Sequence, residues 1–121
     1  MNTKCYYYDV SGLSSPERFA RELASLPWEE RRERILRYRF EKDRRLSLGA
    51  GLLAAYALRE AGAEDLTLQT GENGKPELLS YPDIHFNLSH SGTIAVCAVS
   101  DRPVGVDVEF LGRPHRELAR H

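Results

Sequence analysis

Phe86-Asn87-Leu88-Ser89-His90-Ser91, then Ile94-Ala95-Val96-Cys97-Ala98-Val99, then Pro103-Val104-Gly105-Val106-Asp107-Val108-Glu109: the reading of these three runs decides the fold. Each is a short apolar or alternating segment bounded by turn residues, so each predicts a strand. In a strand, residues two apart project from the same face. Asp107 and Glu109 therefore pair on one side, while Val106 and Val108 point the other way. Two hard carboxylate ligands with room for waters and phosphates suit Mg2+. Ser89 and His90 bring a hydroxyl and an imidazole to the end of another apolar strand, where an anion can be held. Together the runs suggest a site for a metal-bound diphosphate.

Upstream, the pattern is helical. Cys5-Tyr6-Tyr7-Tyr8-Asp9-Val10 is aromatic-rich and predicts an opening strand. Ser14-Ser15-Pro16-Glu17 is a helix start, with a hydroxyl cap, a first-turn proline and an acid beside the positive end. Phe19, Leu23 and Leu26 follow at helical spacing, and Pro27 ends that segment or opens the next. A second helix is predicted from Trp28 to about Phe40, apolar at Trp28, Ile35 and Tyr38. A third runs from about Asp43 to Ala61, with Leu46, Leu53, Tyr56 and Ala57 inward and Gly62 as its stop. Gly49-Ala50-Gly51 costs helix propensity, so close packing is expected there. Leu66 to Thr70 then predicts a strand, leading into a turn at Gly71-Glu72-Asn73-Gly74-Lys75-Pro76. Helices first and antiparallel strands second indicate an α+β domain, helices packed on a small antiparallel sheet.

A chain of 121 residues is enough for one domain. We divide it into residues 1–110, which carry the folding pattern, and a polar tail over 111–121. A formal charge of −1 gives no overall drive toward nucleic acid or membrane. Cys5 and Cys97 are too few and too far apart for a disulfide framework, and Cys97 reads as a small buried hydrophobe. His85, His90, His115 and His121 lack the spacing of a zinc site. With no signal peptide or bilayer-length apolar run in the sequence, the expected compartment is the cytoplasm.

The basic residues are concentrated. Between Arg31 and Arg45 stand eight Arg or Lys against three acids, Glu33, Glu41 and Asp43. Arg31 and Arg34 lie three apart, a spacing that lets both converge on one phosphate. The alternative is a solvated helix face with internal ion pairs. Gly74-Lys75-Pro76 weighs toward the phosphate: glycine permits close backbone approach, lysine supplies charge and proline stiffens the loop.

In this order and spacing, Gly74-Lys75-Pro76, Phe86 to Ser91 and Val104 to Glu109 resemble the motifs of the 4'-phosphopantetheinyl transferases. The likeness is to the monomeric, two-halved type that activates peptide and polyketide synthases, and it runs from the first strand to about Phe110. Asp43 to Leu53, with Ser47, is similar to a further segment of that family. The resemblance implies transfer of the phosphopantetheine arm of coenzyme A to a serine of an acyl or peptidyl carrier protein. It implies Arg31, Arg34 and Ser47 around the 3'-phosphate, and Gly74, Lys75 and Pro76 against the adenine. It further implies Ser89 and His90 on the phosphates, and Asp107 and Glu109 as catalytic acids binding Mg2+. The tryptophan-x-x-lysine-glutamate motif of the family's second half has no match, because Trp28 is the only tryptophan. The expected architecture is thus one half of the two-halved fold plus the first strand of the other, with only part of the catalytic face.

Three functional readings follow. The first is a phosphopantetheinyl transferase, incomplete in this chain. The second is a non-catalytic coenzyme A or nucleotide-binding module, or a half-subunit needing a partner. The third, a basic helix binding nucleic acid, is disfavoured by the net charge and the lack of an aromatic stacking platform. A first half without its second leaves an apolar face to cover, which predicts self-association or weak stability. Sedimentation velocity should therefore show concentration-dependent association; a monodisperse, highly stable monomer would overturn that expectation.

Overall fold

The computed structural model describes residues 3–71 and 74–101, together with the backbone of Leu118–Arg120. Strand β1 (Lys4–Asp9) opens the chain with Tyr6 buried. The Asp9 carboxylate accepts from the Ser11 N–H at 3.0 Å, and the backbone tightens into a 3₁₀ turn, Val10–Ser14, that buries Val10 and Leu13. The Ser15 hydroxyl then accepts from the Arg18 N–H and starts helix α1 (Pro16–Ser25), as its cap-then-proline sequence predicts.

Helix α2 (Glu29–Arg37) carries Glu29 and Glu30 in its first turn and Arg34 and Arg37 in its last, matching the helix dipole. It ends earlier than the predicted Phe40 because Tyr38 is extended, and the chain re-enters helix at α3 (Glu41–Glu60). Arginines close these joints. Arg32 donates to the Leu26 carbonyl at the end of α1, and Arg44 donates from Nε to the Tyr38 carbonyl at 2.8 Å at the end of α2. Gly62, at φ 102°, turns the chain away from α3.

The remaining elements are strands: β2 (Leu68–Thr70), β3 (Pro76–Leu78), β4 (His85–Ser91), β5 (Ile94–Ser100) and β6 (Leu118–Arg120). The main sheet has the order β4-β5-β1-β6, while β2 and β3 form a separate antiparallel pair. β5 is antiparallel to both neighbours, with Ser89 opposite Val96 and Tyr6 opposite Cys97. The α+β arrangement of helices on small, mainly antiparallel sheets is the one the sequence predicts. Three short elements were not in that reading: the 3₁₀ turn, β3 and β6, the two strands too short to show an alternating pattern. Of the predicted 111–121 tail only 118–120 are described, and there the backbone runs parallel to β1. The predicted strand at Val104–Phe110, with Asp107 and Glu109, lies outside the described residues.

Helix α3 is the centre of the core. Leu46, Leu48, Leu53, Ala54, Ala57 and Leu58 are buried along it, against Ala95, Cys97 and Val99 of β5 and Ile35 of α2. Burial pushes the Cys97 thiol up to about 12, so it is an inert hydrophobe, as expected from its neighbours. No helix among the described residues is long and apolar enough to cross a membrane.

The glycines of α3 explain its placement. A Cβ on Gly49 would stand 2.1 Å from Val10 Cγ1 and 3.4 Å from Tyr8 Cδ2, so the side chains at the end of β1 and in the 3₁₀ turn press directly on the helix backbone. We predict that Gly49→Ala destabilises the fold by about 1–3 kcal/mol through overpacking, despite alanine's better helix propensity. Urea unfolding checks this; unchanged or increased stability would show that Val10 yields freely.

Candidate functional site

Arg31 is positioned by an absence on the neighbouring helix. A Cβ on Gly51 would fall 2.8 Å from Arg31 Cδ and 2.9 Å from Leu26 Cδ1, so only glycine lets the arginine stem lie against α3. The guanidinium thereby reaches one turn back along α3, where Nη1 donates to the Ser47 carbonyl at 2.8 Å and to the Ser47 hydroxyl at 3.0 Å. Both acceptors are neutral. Among the described residues no carboxylate pairs with Arg31. Burial first, and the nearby charge of Arg34 second, lower its pKa to about 10. At neutral pH it keeps its proton. The folded pKa is depressed, so charged Arg31 costs stability at any pH below about 10, and the cost lifts as pH rises through that value.

Two cavities meet at this cation pair. The inner one, about 220 Å³, is lined by Arg31, Arg34, Tyr38, Asp43, Leu46, Ser47 and Ala50 from the helices and by Leu88, Ser89 and His90 from β4. Three consecutive strand residues cannot share one face, so the cavity meets β4 along its edge, and among the described residues β4 is the outermost strand of the main sheet. The outer one, about 540 Å³, is lined by Pro27, Trp28, Glu29, Glu30, Arg31 and Arg34 with Thr67 to Thr70, Gly74 and Pro76. Arg31 and Arg34 therefore form the boundary shared by both cavities.

The sequence-predicted residues fall into this frame. Arg31, Arg34, Ser47, Ser89 and His90 converge on the inner cavity, and Gly74 and Pro76 on the outer one. The Gly74 loop is shaped by its φ of 75° and by the Gly71 N–H donating to the Lys75 carbonyl at 2.7 Å. Lys75 is exposed and is not among the residues lining either cavity. Asp107 and Glu109 lie outside the described residues. Among the residues that are described, no cluster of three or more His, Cys, Asp or Glu could hold a metal ion.

Sequence reading missed two contributors. Trp28 was placed as an apolar helix residue, yet its Nε1 donates to the Leu66 carbonyl at 2.7 Å and the residue lines the outer cavity. Asp65 was not singled out: its carboxylate accepts from the Thr67 hydroxyl at 2.6 Å and the Thr67 N–H at 2.9 Å, setting the entry to β2. The Thr67 hydroxyl is the main cause holding this carboxylate below its usual range. That contribution is present above the unfolded carboxylate range and is lost as pH falls through the folded value. The Asp-x-Thr spacing is the local signal that could have shown this turn.

Residues 13–102 match the family model described as "4'-phosphopantetheinyl transferase, N-terminal". The chain belongs to the 4'-phosphopantetheinyl transferase family. It is 39% identical over 85 residues to a 4'-phosphopantetheinyl transferase of Bacillus subtilis, covering 68% of this chain and 38% of the relative. It is 42% identical over 85 residues to 4'-phosphopantetheinyl transferase psf-1 of Bacillus pumilus, covering 68% and 36%. Over 94 residues it is 37% identical to 4'-phosphopantetheinyl transferase Sfp of Bacillus subtilis strain 168, covering 75% and 42%. These matches span about two-fifths of the relatives' length.

A structural and a ligand-binding arginine behave differently on substitution. Methionine at Arg31 keeps the stem against Gly51 but removes a desolvated charge. We expect Arg31→Met to leave unfolding stability within about 1 kcal/mol of the parent, since exchanging a desolvated charge for apolar bulk is often neutral or stabilising. A loss above about 2 kcal/mol in urea unfolding would make the guanidinium a structural clamp.

Proposed function

We propose that this chain provides the coenzyme A-binding face of a 4'-phosphopantetheinyl transferase. The observation that carries the reading is the half-buried Arg31, without a carboxylate partner among the described residues and next to Arg34, where two cavities meet. Such a pair is stabilised by a multiply charged phosphate group. We assign the 3'-phosphate to Arg31, Arg34 and Ser47, the diphosphate to the side of Ser89 and His90, and the adenine to the loop of Gly74, Lys75 and Pro76.

In the full reaction, a serine hydroxyl of an acyl or peptidyl carrier protein attacks the β-phosphorus of coenzyme A. A serine-oxygen-to-phosphorus bond forms, the phosphorus bond to the bridging oxygen breaks, and adenosine 3',5'-bisphosphate leaves with that oxygen. The hydroxyl proton passes to a carboxylate or water. The described residues bind and orient the nucleotide through charge-assisted hydrogen bonds. Mg2+, held by Asp107 and Glu109 in this reading, would neutralise charge on the diphosphate. We place the reaction in the cytoplasm, and include self-association among the chain's expected contacts. The competing reading, a coenzyme A-binding module without turnover, shares the same nucleotide face and differs only in transfer.

Calorimetric titration tests the proposal. Coenzyme A should bind at micromolar affinity, and 3'-dephospho-coenzyme A about tenfold or more weakly, since hydrogen bonds to charged groups contribute about 1.5–3 kcal/mol. Arg31→Met should erase that difference. Absence of binding to either ligand overturns the reading for this chain. Transfer to a carrier protein that is lost in Asp107→Asn would separate the enzyme from the binding module.

A further inference from the structure

The outer cavity contains a feature that the cation pair and the Gly74 loop do not explain: the only tryptophan of the chain. Trp28 occupies the N-cap position of α2, where Ser, Thr, Asp or Asn would satisfy a helix N–H, and it makes no side-chain cap. A helix-stabilising choice has been passed over for a large ring. The single polar atom of that ring is already committed, because Nε1 donates to the Leu66 carbonyl. The bond ties the indole to the segment that leads into β2, and in this cavity-lining residue it leaves only ring carbons without a polar partner.

The surroundings suit a planar, partly polar ligand attached to a phosphate. Arg31 stands three residues after Trp28, in the first turn of α2, and lines the same cavity. Thr67, Leu68, Gln69 and Thr70 are consecutive and all line the cavity, which therefore meets β2 edge-on, where backbone as well as side chains can be read. The volume, about 540 Å³, is within the range of small-ligand clefts.

We propose that Trp28 is the aromatic wall against which a purine base packs in this cavity. The inference rests on the coenzyme A reading above and adds a base-recognition residue to it. Trp28 positions the base and takes no part in bond making.

The full chain reports on this directly, because its tryptophan emission, excited selectively over the tyrosines, comes from one indole. Emission should change on titration with adenosine 3',5'-bisphosphate, saturating at the calorimetric affinity, and should not change with pyrophosphate or 4'-phosphopantetheine. Trp28→Leu, which keeps apolar bulk without the ring, should weaken adenosine 3',5'-bisphosphate about tenfold and leave pyrophosphate binding unaltered. Trp28→Phe should stay within about threefold of the parent, because an aromatic face is retained. If the leucine variant does not fold, the emission titration of the parent chain decides alone. Calorimetric binding of the bisphosphate with unmoved emission, or a folded leucine variant of parental affinity, overturns the role of Trp28 and leaves the coenzyme A reading standing. No calorimetric binding of coenzyme A or the bisphosphate removes that reading and this inference with it.

Discussion

The contact of Arg31 with α3 across Gly51 is the constraint from which the candidate site follows. Residues 49 and 51 are separated by about 200° around a helix, so the two glycines face opposite sides of α3. One accepts Val10 and Tyr8 from the sheet side, and the other accepts Leu26 and Arg31 from the α1–α2 side. A single turn of helix is thus compressed from both directions. This draws α2 close enough for Arg31 to bond Ser47, and it holds a cation where solvent reaches it poorly. Such burial is unfavourable for the free protein. It is consistent with a site whose stabilising partner is an anion from outside the described chain.

The basic run from Arg31 to Arg45 divides once its contacts are known. Arg32 and Arg44 satisfy helix-end carbonyls, Arg39 lies over the Phe40 ring at 5.4 Å, and Arg45 makes an exposed ion pair with Glu41 at 3.5 Å. These are the structural uses that a solvated-helix reading would predict. Arg31 and Arg34 alone from the run line both cavities. Packing therefore divides the run into arginines with structural contacts and the pair that lines both cavities. Spacing separated them less clearly than packing does.

Elements governed by local physics were legible: the Ser15-Pro16 start of α1, the stop at Gly62, the paired strands β4 and β5 and the crowding at Gly49 and Gly51. The convergence of Arg31, Arg34, Ser47, Ser89 and His90 was legible through motif order. What escaped depends on partners distant in sequence. The Trp28–Leu66 bond spans 38 positions, and the Arg31–Ser47 bonds span 16. No periodicity encodes either. The three-residue strands β2 and β3 are likewise set by mutual pairing, with Gln69 opposite Glu77, more than by alternation.

The shared boundary also bears on what kind of ligand the site accommodates. A helix that binds nucleic acid spreads its cations over an exposed surface, where counterion release supplies the affinity. Arg31 is instead desolvated and hydrogen-bonded to Ser47, with one cavity on the Ser89–His90 side and a larger one on the Trp28–Gly74 side. A compact phosphate alone would engage the cations and leave both cavities unused. A linear polymer would have no reason to require them. A ligand with its densest charge in the middle, a flat group on one side and a second charged group on the other would engage the boundary and both cavities at once. Coenzyme A, the ligand proposed for this face, has that order of parts.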